Sequence, residues 1–261
     1  MKYVLKNLKI FNGHTFDFGN IAVCDGIVVS VDPSFKYTSD YEVIDCGGLA
    51  AFPGFADVHV HLREPGFSYK ETIETGTKAS ARGGFTAVCA MPNLNPVPDS
   101  VENLLVQLDA IEKSAVIDVF PYAAITVGEK GETLAELDAL ASKTVAFSDD
   151  GKGVQDENMM RSAMAKSAAL GKIIAAHCED ESLLHGGCIH AGPFAKEHDI
   201  PGIVSESEWG PIKRDIELIK ETGCAYHVCH VSAKESVEII RQAKKDGVNI
   251  TCETAPHYLV Y

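Results

Sequence analysis

From Phe52 onward the sequence alternates short apolar runs with amphipathic stretches, and this alternation constrains the fold more than any other feature. Apolar runs at Phe55–His61, Thr86–Met91, Ile117–Thr126, Val145–Ser148, Ile173–His177, Ala225–Val231 and Val248–Thr254 read as strands. Helical segments separate most of them. One opens at Asp99 with Glu102 three residues on, a capping-box spacing, and carries Val101, Leu104, Leu105, Leu108 and Ile111 on one face. Another opens at Ser232 with Glu235 in the same relation and is expected to bury Val237, Ile240 and Ala243. Gly83–Gly84, Gly171 and Gly247 fall just past the expected helix ends, where a left-handed residue closes the last turn. Strands alternating with helices imply βα units and a parallel sheet.

The expected fold class is therefore α/β, a TIM-like (β/α)₈ barrel over residues 51–261 with about seven of its eight strands present. Such a barrel takes about 250 residues. An open seven-stranded sheet would leave exposed edges, so the expectation is a shortened version of a longer chain, incomplete at the C-terminal end. Residues 1–50 have a different texture and read as a small β domain. Strands are expected at Tyr3–Ile10, Ile21–Val23, Ile27–Val31 and Glu42–Asp45, with Asn12–Gly13 and Asp25–Gly26 as turns and Gly47–Gly48 as the break.

Charge narrows the partners. Lys and Arg number 23 against 37 Asp and Glu, a net charge of −14 with no basic stripe, which argues against nucleic acid and anionic membranes. An anionic small molecule remains compatible if local cations or metals reverse the field. The amino end, Met1–Lys2–Tyr3–Val4–Leu5–Lys6, alternates polar and apolar, unlike a signal peptide. No apolar run approaches the roughly 18 residues of a membrane helix. The eight cysteines include no CxxC pair and read as buried free thiols, so a cytoplasmic setting is expected.

Polar residues that break the apolar strands carry the functional reading. His59 and His61, in Asp57–Val58–His59–Val60–His61, lie two apart at a strand end, and period-two alternation points both rings to one side. Ser148–Asp149–Asp150–Gly151 ends the fourth strand, His177 the fifth and His230 the sixth. Barrel enzymes keep their sites at this carboxyl-end face, so one rule gathers four histidines and a carboxylate at a single mouth. Nitrogen and carboxylate ligands suit Zn²⁺ at about 2.0–2.2 Å, and a metal site follows. His14, His185, His190 and His198 read as solvated loop residues. His227, of opposite strand parity to His230, is expected to face the helices. Cys178 and Cys229 are expected to point away from the mouth, and Glu179–Asp180–Glu181 reads as a solvated helix start.

Together these residues resemble the dihydroorotase family of the zinc amidohydrolase superfamily. Asp57–Val58–His59–Val60–His61–Leu62–Arg63–Glu64–Pro65–Gly66 is similar to its amino-terminal signature. Met91–Pro92–Asn93, Phe147–Ser148–Asp149–Asp150–Gly151, Ala176–His177–Cys178–Glu179–Asp180 and His227–Val228–Cys229–His230–Val231–Ser232 resemble the bacterial class I type. The resemblance implies zinc-dependent, reversible cyclisation of N-carbamoyl-L-aspartate to L-dihydroorotate in pyrimidine biosynthesis. It implies two Zn²⁺, with His59 and His61 on the first, His177 and His230 on the second, and Asp150 bridging. His61, Arg63 and Asn93 would bind substrate. Arg63 offers a planar fork suited to a carboxylate, the alternative being a surface ion pair with Glu64 or Glu71.

The resemblance has gaps. Leu94 stands where the family commonly has threonine. The Asp-x-Ala-Pro-His run of strand eight, whose aspartate ligates zinc and moves the proton, is absent, and Ala255–Pro256–His257 does not replace it. No catalytic acid–base residue is therefore assigned in this chain, and low or no activity is expected of it. Two other readings stay open. One is a hydantoinase- or allantoinase-like cyclic amidohydrolase, in which a carboxylated lysine replaces Asp150. The other is a noncatalytic partner of aspartate transcarbamoylase, in which the zinc histidines are usually lost. The resemblance also implies a homodimer, and a composite β-sandwich begun by residues 1–50.

Overall fold

The computed structural model describes residues 1–260, which fall into two compact units, Met1–Phe55 and the remainder from Ala56. In the first unit the long strand β1 (Lys2–Phe11) is central. It pairs antiparallel with β2 (Phe16–Cys24), which pairs in turn with β3 (Ile27–Val31). β4 (Glu42–Asp45) and β5 (Ala50–Ala51) run parallel to β1. Cys24 pairs with Ile27, so Asp25 and Gly26 alone make the turn. Both have positive φ (49° and 81°), the conformation that lets a two-residue hairpin follow the strand twist. At the other hairpin the Asn12 side chain accepts from the His14 and Thr15 amides.

The second unit carries the expected βα alternation. Its elements are β6 (Phe55–Val60), α1 (Ile73–Arg82), β7 (Phe85–Ala90), α2 (Val101–Ser114), β8 (Asp118–Pro121), α3 (Leu137–Leu140) and α4 (Glu157–Ala169). They continue as β9 (Ile173–Ala176), β10 (Ile189–His190), α5 (Pro193–Glu197), β11 (Gly202–Ile203) and α6 (Glu206–Thr222). Last come β12 (Ala225–Val228), α7 (Lys234–Lys245), β13 (Ile250–Cys252) and α8 (Pro256–Val260). Two sheets, β6-β7-β8 and β9-β12-β13, are joined through Phe147, which bridges Ala123 on one side and Ile174 on the other. Seven barrel places thus follow in chain order, with β10 and β11 paired apart from them.

Four expected strands are clearly shorter than their apolar runs: β12 ends at Val228, β13 covers only Ile250–Cys252, and the third and fourth are cut back further. The fourth is reduced to the bridge at Phe147, although its backbone still donates to Pro121 and Ile173 and so fills its place. The third stops at Pro121 and does not reach Thr126, because the Asp149 carboxylate, and not a neighbouring strand, takes the amides of Ile125 and Thr126.

Alternation along the strands builds two cores. Ile174, Ala176, Tyr226 and Val228 face the helices and pack with Met160 and Met164 of α4, Ile212 and Ile216 of α6, and Ile240 of α7. Burying each of the larger aliphatic side chains here contributes about 1.5–3 kcal/mol, and this is the larger of the two layers. Ala175 faces the opposite side, in a small inner cluster with Met91, Tyr122, Ala146 and Cys229.

Both expected capping boxes are displaced. At α2 the cap is Ser100, which accepts from the Asn103 amide, while Asp99 turns to the Gly128 amide. At α7 the helix begins at Lys234, and Glu208 of α6 accepts from the Ser232 and Ala233 amides. A carboxylate from another helix makes Glu235 unnecessary as a cap. On α7 Ile240 and Ala243 are buried, but Val237 is exposed. Gly84, Gly171 and Gly247 are left-handed as expected, whereas Gly83 stays right-handed at φ −77°.

Candidate metal centre

His59 lies within β6 and His61 directly follows it, so the pleat sends both rings to one side, with their Nε2 atoms 3.3 Å apart. Asp150 follows the bridge at Phe147. His177 is the first residue past β9, and His230 the second past β12. All five converge. Asp150 Oδ1 lies 3.6 Å from His59 Nε2, 3.7 Å from His177 Nδ1 and 3.5 Å from His230 Nε2. Its Oδ2 lies 3.6 Å from His61 Nε2, and His177 Nδ1 is 3.0 Å from His230 Nε2. Two triads result, His59–His61–Asp150 and Asp150–His177–His230, sharing one carboxylate.

These distances test whether a metal fits. Two ligands at about 2.1 Å from one ion in tetrahedral array stand about 3.4 Å apart, close to every separation above. Asp150 is only 3% exposed, and among the described residues its buried Oδ1 has no hydrogen-bond donor. A carboxylate oxygen so placed needs positive charge to offset its lost hydration. The donor set of four imidazoles and one carboxylate suits zinc.

The outer nitrogens are also engaged. His59 Nδ1 meets Glu253 Oε1 at 2.7 Å, His61 Nδ1 meets Asn93 Oδ1 at 3.0 Å, and His177 Nε2 meets Glu179 Oε2 at 3.4 Å. An acceptor on one ring nitrogen holds the proton there and turns the other lone pair inward. Asn93 closes the loop by donating to Asp150 Oδ2 at 3.1 Å.

Electrostatics favours positive charge at this place. Burial works against protonation of His59, yet the carboxylates of Asp150 and Glu253, which attract its charged form, override it and raise its pKa to about 9. Burial would raise the Asp150 pKa, but His177, His230 and His59 hold it well below the usual carboxylate range. Glu253, resisted by burial and helped by His227 and His59, is lowered to about 2. His61 is lowered, chiefly by burial.

Arg63, two residues past His61, is half-buried with φ 59°. Among the described residues its guanidinium makes no hydrogen bond or ion pair; Glu64 takes the Ile73 amide and Glu71 the Thr72 amide. A cavity of about 840 Å³ opens beside His177 and His230, lined also by Glu179, Ser205, Glu208 and Lys234.

Two expectations fail here, for one reason. β12 ends at Val228 and His230 takes φ 36°, so strand parity does not reach His230. His227 therefore points away from the helices, with Nε2 3.5 Å from Glu253 Oε2 and Nδ1 2.8 Å from Thr251 Oγ1. Cys229 does not point away from the site either. It lies in the inner cluster, with its sulfur within 4.8 Å of the ligand atoms of His59 and Glu253. Cys178 does pack on the helix side, against Tyr226. Asp180 caps a short 3₁₀ turn as expected of a helix start, but Glu179 belongs with His177. His14, His185, His190 and His198 are exposed. The residue that sequence reasoning missed is Glu253. It sits at the carboxyl end of β13, so the rule that selected the histidines also selects it.

The family model described as dihydro-orotase-like matches residues 48–236. A dihydroorotase of Fusobacterium nucleatum is 49% identical over 257 residues, covering 98% of this chain and 60% of that protein. One from Staphylococcus aureus is 47% identical, covering 98% and 61%, and one from Enterococcus faecalis is 49% identical, covering 100% and 61%. This chain thus spans about 60% of the length of these relatives. Among solved structures, an L-hydantoinase from Arthrobacter aurescens superposes with a TM-score of 0.82 at 24% identity, covering 99% of this chain and 59% of its own. A D-hydantoinase gives 0.82 at 23% identity, covering 100% and 58%. At such identities the likeness speaks for the fold alone, and it supports the α/β, TIM-like barrel architecture.

Proposed function

This chain belongs to the dihydro-orotase-like family, and from that premise we propose that it carries the metal-binding part of a dihydroorotase, acting on N-carbamoyl-L-aspartate and L-dihydroorotate in pyrimidine biosynthesis. The observation that carries the proposal is the pair of triads sharing Asp150, with a guanidinium two residues beyond His61 that is unpaired among the described residues. His59, His61 and Asp150 would hold one zinc, and Asp150, His177 and His230 a second. Zinc would supply Lewis acidity, which lowers the pKa of water to about 7 and polarises an amide carbonyl.

The chain's own residues do the rest of the work. Arg63 grips the substrate carboxylate through its fork and supplies the local positive charge that an acidic protein needs to hold a dianion. Asn93 has one amide N–H on Asp150 and its oxygen on His61, which leaves the second N–H for the substrate. Glu253 and Glu179 hold the rings of His59 and His177 in place. Asp150, where the hydantoinase-like alternative would have a lysine, supports the dihydroorotase reading. Retention of all four histidines speaks against the noncatalytic one. Eight free thiols support a reducing, cytoplasmic setting.

No residue of the two triads is free to move the proton of the leaving nitrogen. General acid–base help is worth about 10²–10⁴-fold, so we propose that this polypeptide alone turns over slowly or not at all. The test measures zinc per chain and dihydroorotate hydrolysis, on this polypeptide and on one extended through the family's eighth strand. Two zincs and turnover in the extended chain support the reading. Zinc without dihydroorotate hydrolysis there moves the hydantoinase-like reading ahead.

A further inference from the structure

On the helix side of the strands lies a buried ionic group that the proposed chemistry does not use. Asp215 of α6 is 1% exposed. Its Oδ1 receives Arg214 Nε at 2.7 Å, and its Oδ2 receives the Tyr226 hydroxyl at 2.5 Å. That hydroxyl also lies 3.4 Å from Cys178 Sγ. The two terminal nitrogens of Arg214 donate to the carbonyls of Gln155 and Val154, at 2.9 and 3.0 Å. The whole fork is therefore committed.

The partners of this group all stand on elements that bear ligand candidates. Val154 and Gln155 close the loop that begins at Asp150. Cys178 follows His177, and Tyr226 lies on β12, four residues before His230. The same loop rests on the backbone past β9: a Cβ on Gly153 would come 2.5 Å from the His177 carbonyl, and Gln155 Nε2 donates to the Glu179 carbonyl at 2.9 Å. Gly153, at φ 68°, is thus needed both for its conformation and for this close approach. A buried ion pair is weak evidence for stability, since apolar residues of similar volume often serve as well. It is better suited to fixing one geometry.

We propose that Arg214, locked by Asp215 and Tyr226, is a positioning residue of the metal centre: it fixes the loop after Asp150 against the strand ends of His177 and His230, so that one carboxylate can serve both triads. The proposal rests on the reading of the two triads as a metal centre. Lysine cannot replace the arginine, because a single ammonium cannot hold a carboxylate and two carbonyls in one plane.

The experiment is a Zn²⁺ titration of this polypeptide against a competing chromophoric chelator, for the parent, Arg214→Gln, Arg214→Lys and Tyr226→Phe. Circular dichroism establishes folding of each apo protein, and hydrogen exchange is read across residues 150–156. The expected result is a folded Arg214→Gln with zinc affinity about 10–100-fold lower and faster exchange in that loop. Arg214→Lys should recover little of the loss, and Tyr226→Phe should lose a few-fold. A folded Arg214→Gln that binds zinc as the parent does overturns the proposal. If Arg214→Gln does not fold, Arg214→Lys and Tyr226→Phe decide, and parental affinity in both overturns it. A parent that binds no zinc is a different failure, that of the metal-centre reading, and it removes the positioning role as well.

Discussion

The two halves of the candidate centre are built differently. His59 and His61 come from one strand, where the pleat alone brings them together, and both outer nitrogens are held, at 2.7 Å by Glu253 and 3.0 Å by Asn93. His177 and His230 come from two strands. Their approach depends on where each strand stops, on the loop conformation at His230, and on a longer 3.4 Å contact to Glu179. Among the described residues His230 Nδ1 has no hydrogen-bond partner. The first half is preorganised by its own strand and by two short outer contacts, the second by where its strands and loops stop, so loss of an outer carboxylate should cost the first half more and a loop change the second.

The largest effect should come from the one residue the halves share. Asp150→Ala removes a ligand from both triads, and zinc affinity should fall more than 100-fold at both positions. Retention of one tight zinc would show that the halves are independent. Next, Glu253→Gln should weaken zinc binding about 10–100-fold, because it removes the negative charge that strengthens the hydrogen bond orienting His59. Glu179→Gln should cost only a few-fold, its contact being longer. Equal losses in a chelator competition would erase the distinction between the halves.

A smaller effect is expected of pH on the apo protein. The His59 pKa is raised from 6.5 to about 9, so its contribution to stability is complete below pH 6.5 and is lost as pH rises through 9. Glu253 is lowered from 4.5 to about 2, so its contribution is present above pH 4.5 and is lost as pH falls through 2. His61, lowered from 6.5, opposes folding once pH falls below its unfolded value. Denaturant titrations of the apo chain should therefore show stability falling between pH 6.5 and 9. Zinc should reverse this slope, since metal binding requires His59 deprotonated. A flat apo profile would remove Glu253 and Asp150 as partners of a charged His59.

Much of this site was legible because it obeys one local rule. His59 and His61 follow from period two, and Asp150, His177 and His230 from their places at strand ends. What was not legible depends on chain that departs from that period. His227 and Cys229 were misplaced because β12 ends before His230 and the chain turns left-handed there. The fourth strand looked complete because its apolar run is complete, yet only Phe147 bridges both neighbours. Glu208 at the start of α7 and Arg214 at the loop after Asp150 act across long sequence separations, which no window along the chain displays.

The central claim is that one carboxylate joins two metal positions. X-ray absorption at the zinc edge on the zinc-loaded polypeptide tests it most directly. The account predicts a nitrogen and oxygen shell at about 2.0–2.2 Å and a zinc–zinc vector near 3.5–4 Å. A sulfur shell at about 2.3 Å with no metal–metal vector would contradict it, and would place the metal with Cys229 and not between the triads.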